Sequence, residues 1–153
     1  MKFMNMTQRV TLLGNLLAGV GCSSSNSFQV EVTNSTNRPV TLWLTKDGPP
    51  AEEGWLSPEE LATASAHAHG EPSYDFAVVE AGRMGFTDKV TGNFPPGTHA
   101  VLRVYDDTPT YFQIADAAKA GKPIDHADQV LKPGNNRFQV TDDASGKLVL
   151  HRK

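Results

Sequence analysis

Two histidines separated by one residue, His67 and His69 in Ala66-His67-Ala68-His69-Gly70-Glu71, are the residues whose type and spacing point most directly to chemistry. In an extended segment alternate side chains leave the same face, so both imidazoles project one way with Glu71 in the same register. Such a pair suits a two-point grip on zinc or copper, with a third ligand from His99 or His126. A competing account needs no metal. The pair follows a helix-forming stretch, and protonated histidines at a helix C-terminus complement its dipole.

Other constellations narrow the chemistry further. Asp125-His126-Ala127-Asp128 and Asp106-Asp107 concentrate charge, but no Asp-x-Asp-x-Asp-Gly loop accompanies them, and they are expected to be solvated loop charges rather than a calcium site. No Gly-x-Ser-x-Gly, Ser-x-x-Lys, Gly-x-Gly-x-x-Gly or Gly-Lys-Ser/Thr order occurs, so neither an acyl-transfer nucleophile nor a phosphate cradle is indicated. Asn34-Ser35-Thr36 fits a glycosylation acceptor. Among the aromatics, Trp43, Tyr105 and Tyr111 are candidates for a ligand-contact surface, since rings supply contact area at low entropy cost, and Trp55 is expected to pack.

Cys22 is the only cysteine in the 153 residues, and its position matters more than its count. Lys2 and Arg9 are the only charges before Glu31, and they precede the apolar run from Val10 to Val20, which ends in Gly19 and Gly21 beside Cys22. That order is a secretory signal peptide, expected over residues 1–21. The run is too short for a spanning helix, which needs about 20 apolar residues. The segment resembles a bacterial lipoprotein signal with an imperfect lipobox: Gly19-Val20-Gly21 precedes Cys22, and Leu17-Ala18-Gly19 stands two places early. The resemblance implies cleavage before Cys22, acylation of its sulfur, and attachment to the membrane at the cell envelope. Ser23-Ser24-Ser25-Asn26-Ser27 then reads as a flexible tether over 22–27.

Acylation of the one cysteine would leave no thiol for a disulfide, a nucleophile or a blue-copper site. Copper/zinc superoxide dismutases also carry a His-x-His pair on a sandwich, but that family uses six histidines and a disulfide, against five histidines here. Cleavage would remove two cations and take the formal net charge from −3 to about −5. With no Lys/Arg cluster, that balance excludes a nucleic-acid surface as a partner.

The elements that must position these residues are short. Phe28, Val30 and Val32 alternate with polar residues, as do Val40, Leu42 and Leu44, and the Asn34 to Pro39 turn between them suggests a hairpin. Trp43 then lies opposite the Val/Leu face, covering a second surface or exposed. Leu56-Ser57-Pro58-Glu59-Glu60-Leu61 is a capping box with a hydrophobic staple, opening a helix over 58–66. Strands are expected at 74–79, around Met84, Phe86 and Val90, at 98–105, at 137–140 and at 147–151. Thr108 to Gly121 is either one helix or, as preferred, a strand at 111–114 followed by a short helix.

The whole is expected to be mainly β: an antiparallel β-sandwich over 28–153, Ig-like or prealbumin-like, of about seven short strands with one or two short helices. The segment NSTNRPVTLWLTKDGPP is similar to the opening hairpin of a prealbumin-like sandwich. The functional expectation is an exported, lipid-anchored, non-catalytic domain that binds a protein or small ligand and needs no cofactor. The alternative is a metal-binding envelope protein or metalloenzyme built on His67 and His69.

Overall fold

The structure, a computed structural model, describes residues 26–50, 52–65, 77–87 and 90–153. Among them are nine strands and two α-helices: β1 (Asn26–Asn34), β2 (Val40–Asp47), α1 (Pro58–Ser65), β3 (Ala77–Val79), β4 (Met84–Phe86), β5 (Val90–Gly92), β6 (His99–Asp106), α2 (Tyr111–Lys119), β7 (His126–Val130), β8 (Gly134–Asp142) and β9 (Leu148–Arg152). Two sheets form a sandwich. The first has the order β4-β1-β8-β9 with β5 also on β1, and the second has the order β3-β2-β6-β7. Every pairing is antiparallel except β1 with β8, which run parallel from Phe28 opposite Gly134 to Asn34 opposite Val140.

The alternation in the strands decides what each face meets. Phe28, Val30 and Val32 of β1, with Phe138 and Val140 of β8, face Val40 and Leu42 of β2 and Leu102 and Val104 of β6 across a dry core. Each such side chain contributes about 1.5–3 kcal/mol by leaving water. Phe28, Trp55 and Phe94 close one end of this core edge to face, with ring centroids 5.0–5.6 Å apart. Two glycines permit the closeness. A Cβ on Gly85 would sit 2.3 Å from Val79 Cγ2, and one on Gly92 would sit 2.6 Å from Trp55 Nε1.

The outer face of the second sheet is also covered, making a third layer. Trp43 and Tyr105 pack there against Leu61 of α1 and Tyr111, Ile114 and Ala115 of α2. The capping box forms as expected: Ser57 N–H donates to Glu60 Oε2 at 2.8 Å, and Glu60 N–H donates to Ser57 Oγ at 3.2 Å. Leu56 and Leu61 join the same apolar cluster, which is what a staple does.

Four expectations are corrected by the fold. First, β1 and β2 are not a hairpin, because they belong to different sheets and the Asn34–Pro39 turn carries the chain between them. Second, residues 111–119 are helical throughout: Thr110 Oγ1 accepts from Gln113 N–H, the Gln113 side chain caps Thr110 N–H, and the apolar spacing of three and four then meets the outer face. Third, 126–130 is a strand rather than a charged loop. Fourth, Asn26 and Ser27, expected in the tether, already pair with Gly92 and Thr91.

The inter-sheet turn is held by one amide. Asn34 is fully buried; its Nδ2 donates to Arg38 O at 2.8 Å and Val79 O at 2.9 Å, and its Oδ1 accepts from Thr36 N–H at 3.0 Å and Thr36 Oγ1 at 2.8 Å. A side chain so enclosed cannot accept a glycan, which removes the Asn34-Ser35-Thr36 match. Asn34→Ala is expected to lower unfolding free energy by about 3 kcal/mol, since it orphans buried donors and acceptors. Asn34→Asp should be similarly harmful, because it turns a donor into an acceptor facing two carbonyls. Urea unfolding of both variants checks this, and a loss under about 1 kcal/mol would mean the amide does not hold the turn.

Candidate functional site

The polar residues that the fold gathers lie in two places, and both use β6 and β7. Alternation along β7 sends Ala127 into the core and His126 and Asp128 to the outer face, opposite Tyr105 and Arg103 of β6. Arg103 forks onto Asp128, with Nε to Oδ1 at 3.0 Å and Nη2 to Oδ2 at 3.1 Å, and its Nη1 reaches Glu59 Oε2 of α1 at 3.2 Å. Burial is the largest single influence on Arg103 and opposes its charge, but Asp128 and Tyr105 together outweigh it and hold the guanidinium above its ordinary range. The arginine is thus a permanent cation that joins helix to sheet.

Tyr105 lies beneath this pair. Its hydroxyl is buried beside Arg103; burial pushes the phenol above its ordinary pKa, and the neighbouring guanidinium works the other way. Its ring is 5.4 Å from that of His126. His126 Nδ1 is 2.9 Å from Ile124 O; a carbonyl only accepts, so Nδ1 carries the proton. That leaves Nε2 facing Asp128 Oδ2 at 3.8 Å.

The second gathering is at the end of the sandwich where β1 hands over to β2. Arg38 bonds Asp106 through Nε, Asp142 Oδ2 through Nη1 at 3.1 Å and Gly146 O through Nη2 at 3.0 Å. Its charge is fortified chiefly by the hydrogen bonds it donates to Asp106 and Asp142. Beside this clamp is a cleft of about 270 Å³ lined by Asp106, Asp125, His126, Ser145, Lys147 and Leu148. Its β8–β9 wall is shaped by Asp143, whose Oδ1 accepts from Ser145 Oγ at 2.6 Å, Ser145 N–H at 2.8 Å and Lys147 N–H at 3.0 Å. A small polar ligand could meet a carboxylate, an imidazole, a hydroxyl and an ammonium there.

The residues singled out from sequence are distributed as follows. His67 and His69, with Glu71, and Cys22 lie outside the described residues. His99 starts β6 and His126 lies opposite Tyr105 near its end, so six strand residues, about 20 Å, separate them. They cannot share one metal. His99 instead faces Asp47, with Nδ1 3.1 Å from Oδ1. Among the described residues no three His, Cys, Asp or Glu side chains converge on a point. Trp43, Tyr105 and Tyr111 are 6%, 0% and 8% exposed, so as a contact surface they are corrected: their area is spent under the helices. Trp43 also donates its indole N–H to Leu56 O at 2.9 Å.

Lys46 is a further buried charge, which the alternation Val40, Leu42, Leu44, Lys46 places inward. Its side chain is 2% exposed, and its ammonium is bonded to Asn93 O, 3.5 Å from Glu52 Oε2 and 4.9 Å above the Phe94 ring. Arg38 and Arg103 carried no such local signal, because their carboxylate partners are distant in the chain.

Asp143 provides the test of the cleft wall. Its hydrogen bonds from Ser145 hold its pKa below the usual carboxylate value. A depressed folded pKa contributes stability above the unfolded value, near 3.9, that is lost as pH falls through the folded pKa. Carboxyl NMR titration is expected to find Asp143 below that reference and Ser145→Ala to bring it back up. An unshifted Asp143 would show that the hairpin bonds are not held in solution. No known protein family, curated protein or solved structure matches this chain.

Proposed function

We propose that this protein is an exported, lipid-anchored, non-catalytic β-sandwich domain that binds a protein or small ligand at the bacterial cell envelope. The observation that carries the reading is Cys22: the one cysteine stands where a charged, then apolar, then small-residue segment ends. Its acylation would attach the domain to the membrane through more than one chain, which is far firmer than the marginal grip of one.

The binding half draws support from how the described charges are used. Arg38, Arg103, Asp106 and Asp128 are engaged with one another as clamps between elements, which suits a rigid recognition scaffold. The cleft beside His126 and Lys147 is the concave polar surface we assign to a ligand.

Two experiments test the reading. Cells fed a palmitate analogue should label the wild-type protein and leave Cys22→Ala unlabelled and released from membranes; persistent labelling of the variant would sink the anchor. Metal analysis separates the second reading, built on His67 and His69. Dialysed protein is expected to carry zinc and copper far below one per chain, unchanged in the His67→Ala/His69→Ala double variant. A stoichiometric metal lost in that variant would replace the binding-domain reading with the metal-site one.

A further inference from the structure

We infer that the sandwich is held end-on against the bilayer by a tether only three residues long, with the turns Gly48–Pro50, Pro95–Gly97 and Lys132–Asn135 facing lipid and the His126 cleft facing away. The inference rests on the anchoring reading above and adds what the fold says about orientation.

The first argument is length. β1 begins at Asn26, which is paired with Gly92, and Phe28 is paired with both Val90 and Gly134, so the strand is built into the middle of its sheet from its first residues. Only Ser23, Ser24 and Ser25 separate Cys22 from it. Four Cα steps at full extension reach about 14 Å. The sandwich end that contains Asn26 therefore cannot move further than that from an acylated Cys22, whatever path the serines take.

The second argument is which groups lie at each end. At the Asn26 end, Lys46 and Glu52 both bond Asn93, Trp55 N–H bonds Thr91 O, and Gly48 lies against Thr98, so the ends of β2 and β5 and the start of β6 lie together. Among the described residues the carboxylates there are occupied: Asp47 by His99, and Glu52 by Lys46 and Asn93. Pro49, Pro50, Pro96, Gly97, Lys132 and Pro133 are the exposed residues of its turns. At the opposite end Arg38 gathers Asp106 and Asp142, and Glu80, Asp107, Asp125 and Asp143 are exposed around them, outnumbering the exposed cations Arg83 and Lys147. An anionic leaflet repels that end and tolerates the other. β1 is nine residues long, so the two ends stand about 30 Å apart.

The geometry is tested on the full acylated chain in phosphatidylethanolamine–phosphatidylglycerol vesicles. Because acylation occupies the Cys22 sulfur, an introduced cysteine is the only thiol available to a fluorophore. Single substitutions Pro96→Cys and Lys132→Cys mark the Asn26 end, and Ala81→Cys and Ala144→Cys mark the other; all four sites are exposed turns. Energy transfer to acceptor lipids in the vesicle surface is expected to be greater from the first two. Inserting about twelve Gly and Ser residues between Ser25 and Asn26, a coil spanning about 20 Å, should erase the difference.

Equal transfer from both ends, in protein that stays with the vesicles, would overturn the orientation and leave the anchor standing. A difference that survives the spacer would overturn the short tether as its cause, because that end would then adhere by itself. Protein that does not stay with the vesicles would overturn the anchor and the orientation together.

Discussion

The fold depends on how the chain leaves one sheet and enters the other at Asn34. A backbone that turns inside a corner buries polar groups that water can no longer reach, and each one left unpaired costs about 1–3 kcal/mol. The Asn34 amide answers three backbone groups and the Thr36 hydroxyl from a single side chain. Arg38, four residues on, then ties the corner to Asp106 of β6 and to Asp142 and Gly146 of the β8–β9 hairpin. With β1 and β2 in different sheets, both edges of each strand are free. β1 becomes the centre of one sheet, between β4 and β8, and β2 becomes an interior strand of the other, between β3 and β6.

Because α1 and α2 cover the second sheet's outer face, the polar groups on that face had to be paired rather than solvated. Arg103, Asp128 and Glu59 do this where the helix meets β6 and β7. The same covering layer takes up Trp43, Tyr105 and Tyr111. Among the described residues no aromatic face is left open there, and the cleft at the end where Arg38 sits is concave and lined chiefly by polar residues. Large apolar side chains left exposed, such as Met84 and Phe86, lie on β4, beside Thr33 and Glu31 on the outer face of the first sheet.

The opposite end is closed by a different device. Lys46 brings a charge into the lip of the core, where loss of hydration would be expensive without partners. Glu52, the Asn93 carbonyl and the Phe94 ring offset it, and Gly92 lets Trp55 come close enough to complete the wall. The two ends of the sandwich therefore differ in character: one is sealed by rings and one buried ammonium, the other by an arginine among carboxylates. The strand that enters at the sealed end begins at Asn26, four positions after Cys22.

Period-two alternation was enough to identify β1, β2 and β6 and their inward residues, because burial on one face leaves a direct trace in residue order. The Ser57 capping box marked α1 for a similar reason: its bonds join residues three apart. The order of charge, apolar run and Cys22 is likewise local in the chain. β7 escaped notice because its outward residues are His126 and Asp128, which look solvated until Arg103, twenty-five residues away from Asp128, is placed opposite. The Asn34 turn read as a hairpin because turn chemistry is local while the choice between pairing and crossing is not; it is decided by whether β8 and β4 are present to take the edges of β1. Sequence alone thus determined β1, β2 and β6 and the Ser57 cap, all of which arise from neighbours in the chain. Tertiary structure alone decided the sheet partners, the burial of Trp43 and Tyr105, the 20 Å between His99 and His126, and which end follows Cys22, since each depends on residues that meet only after folding.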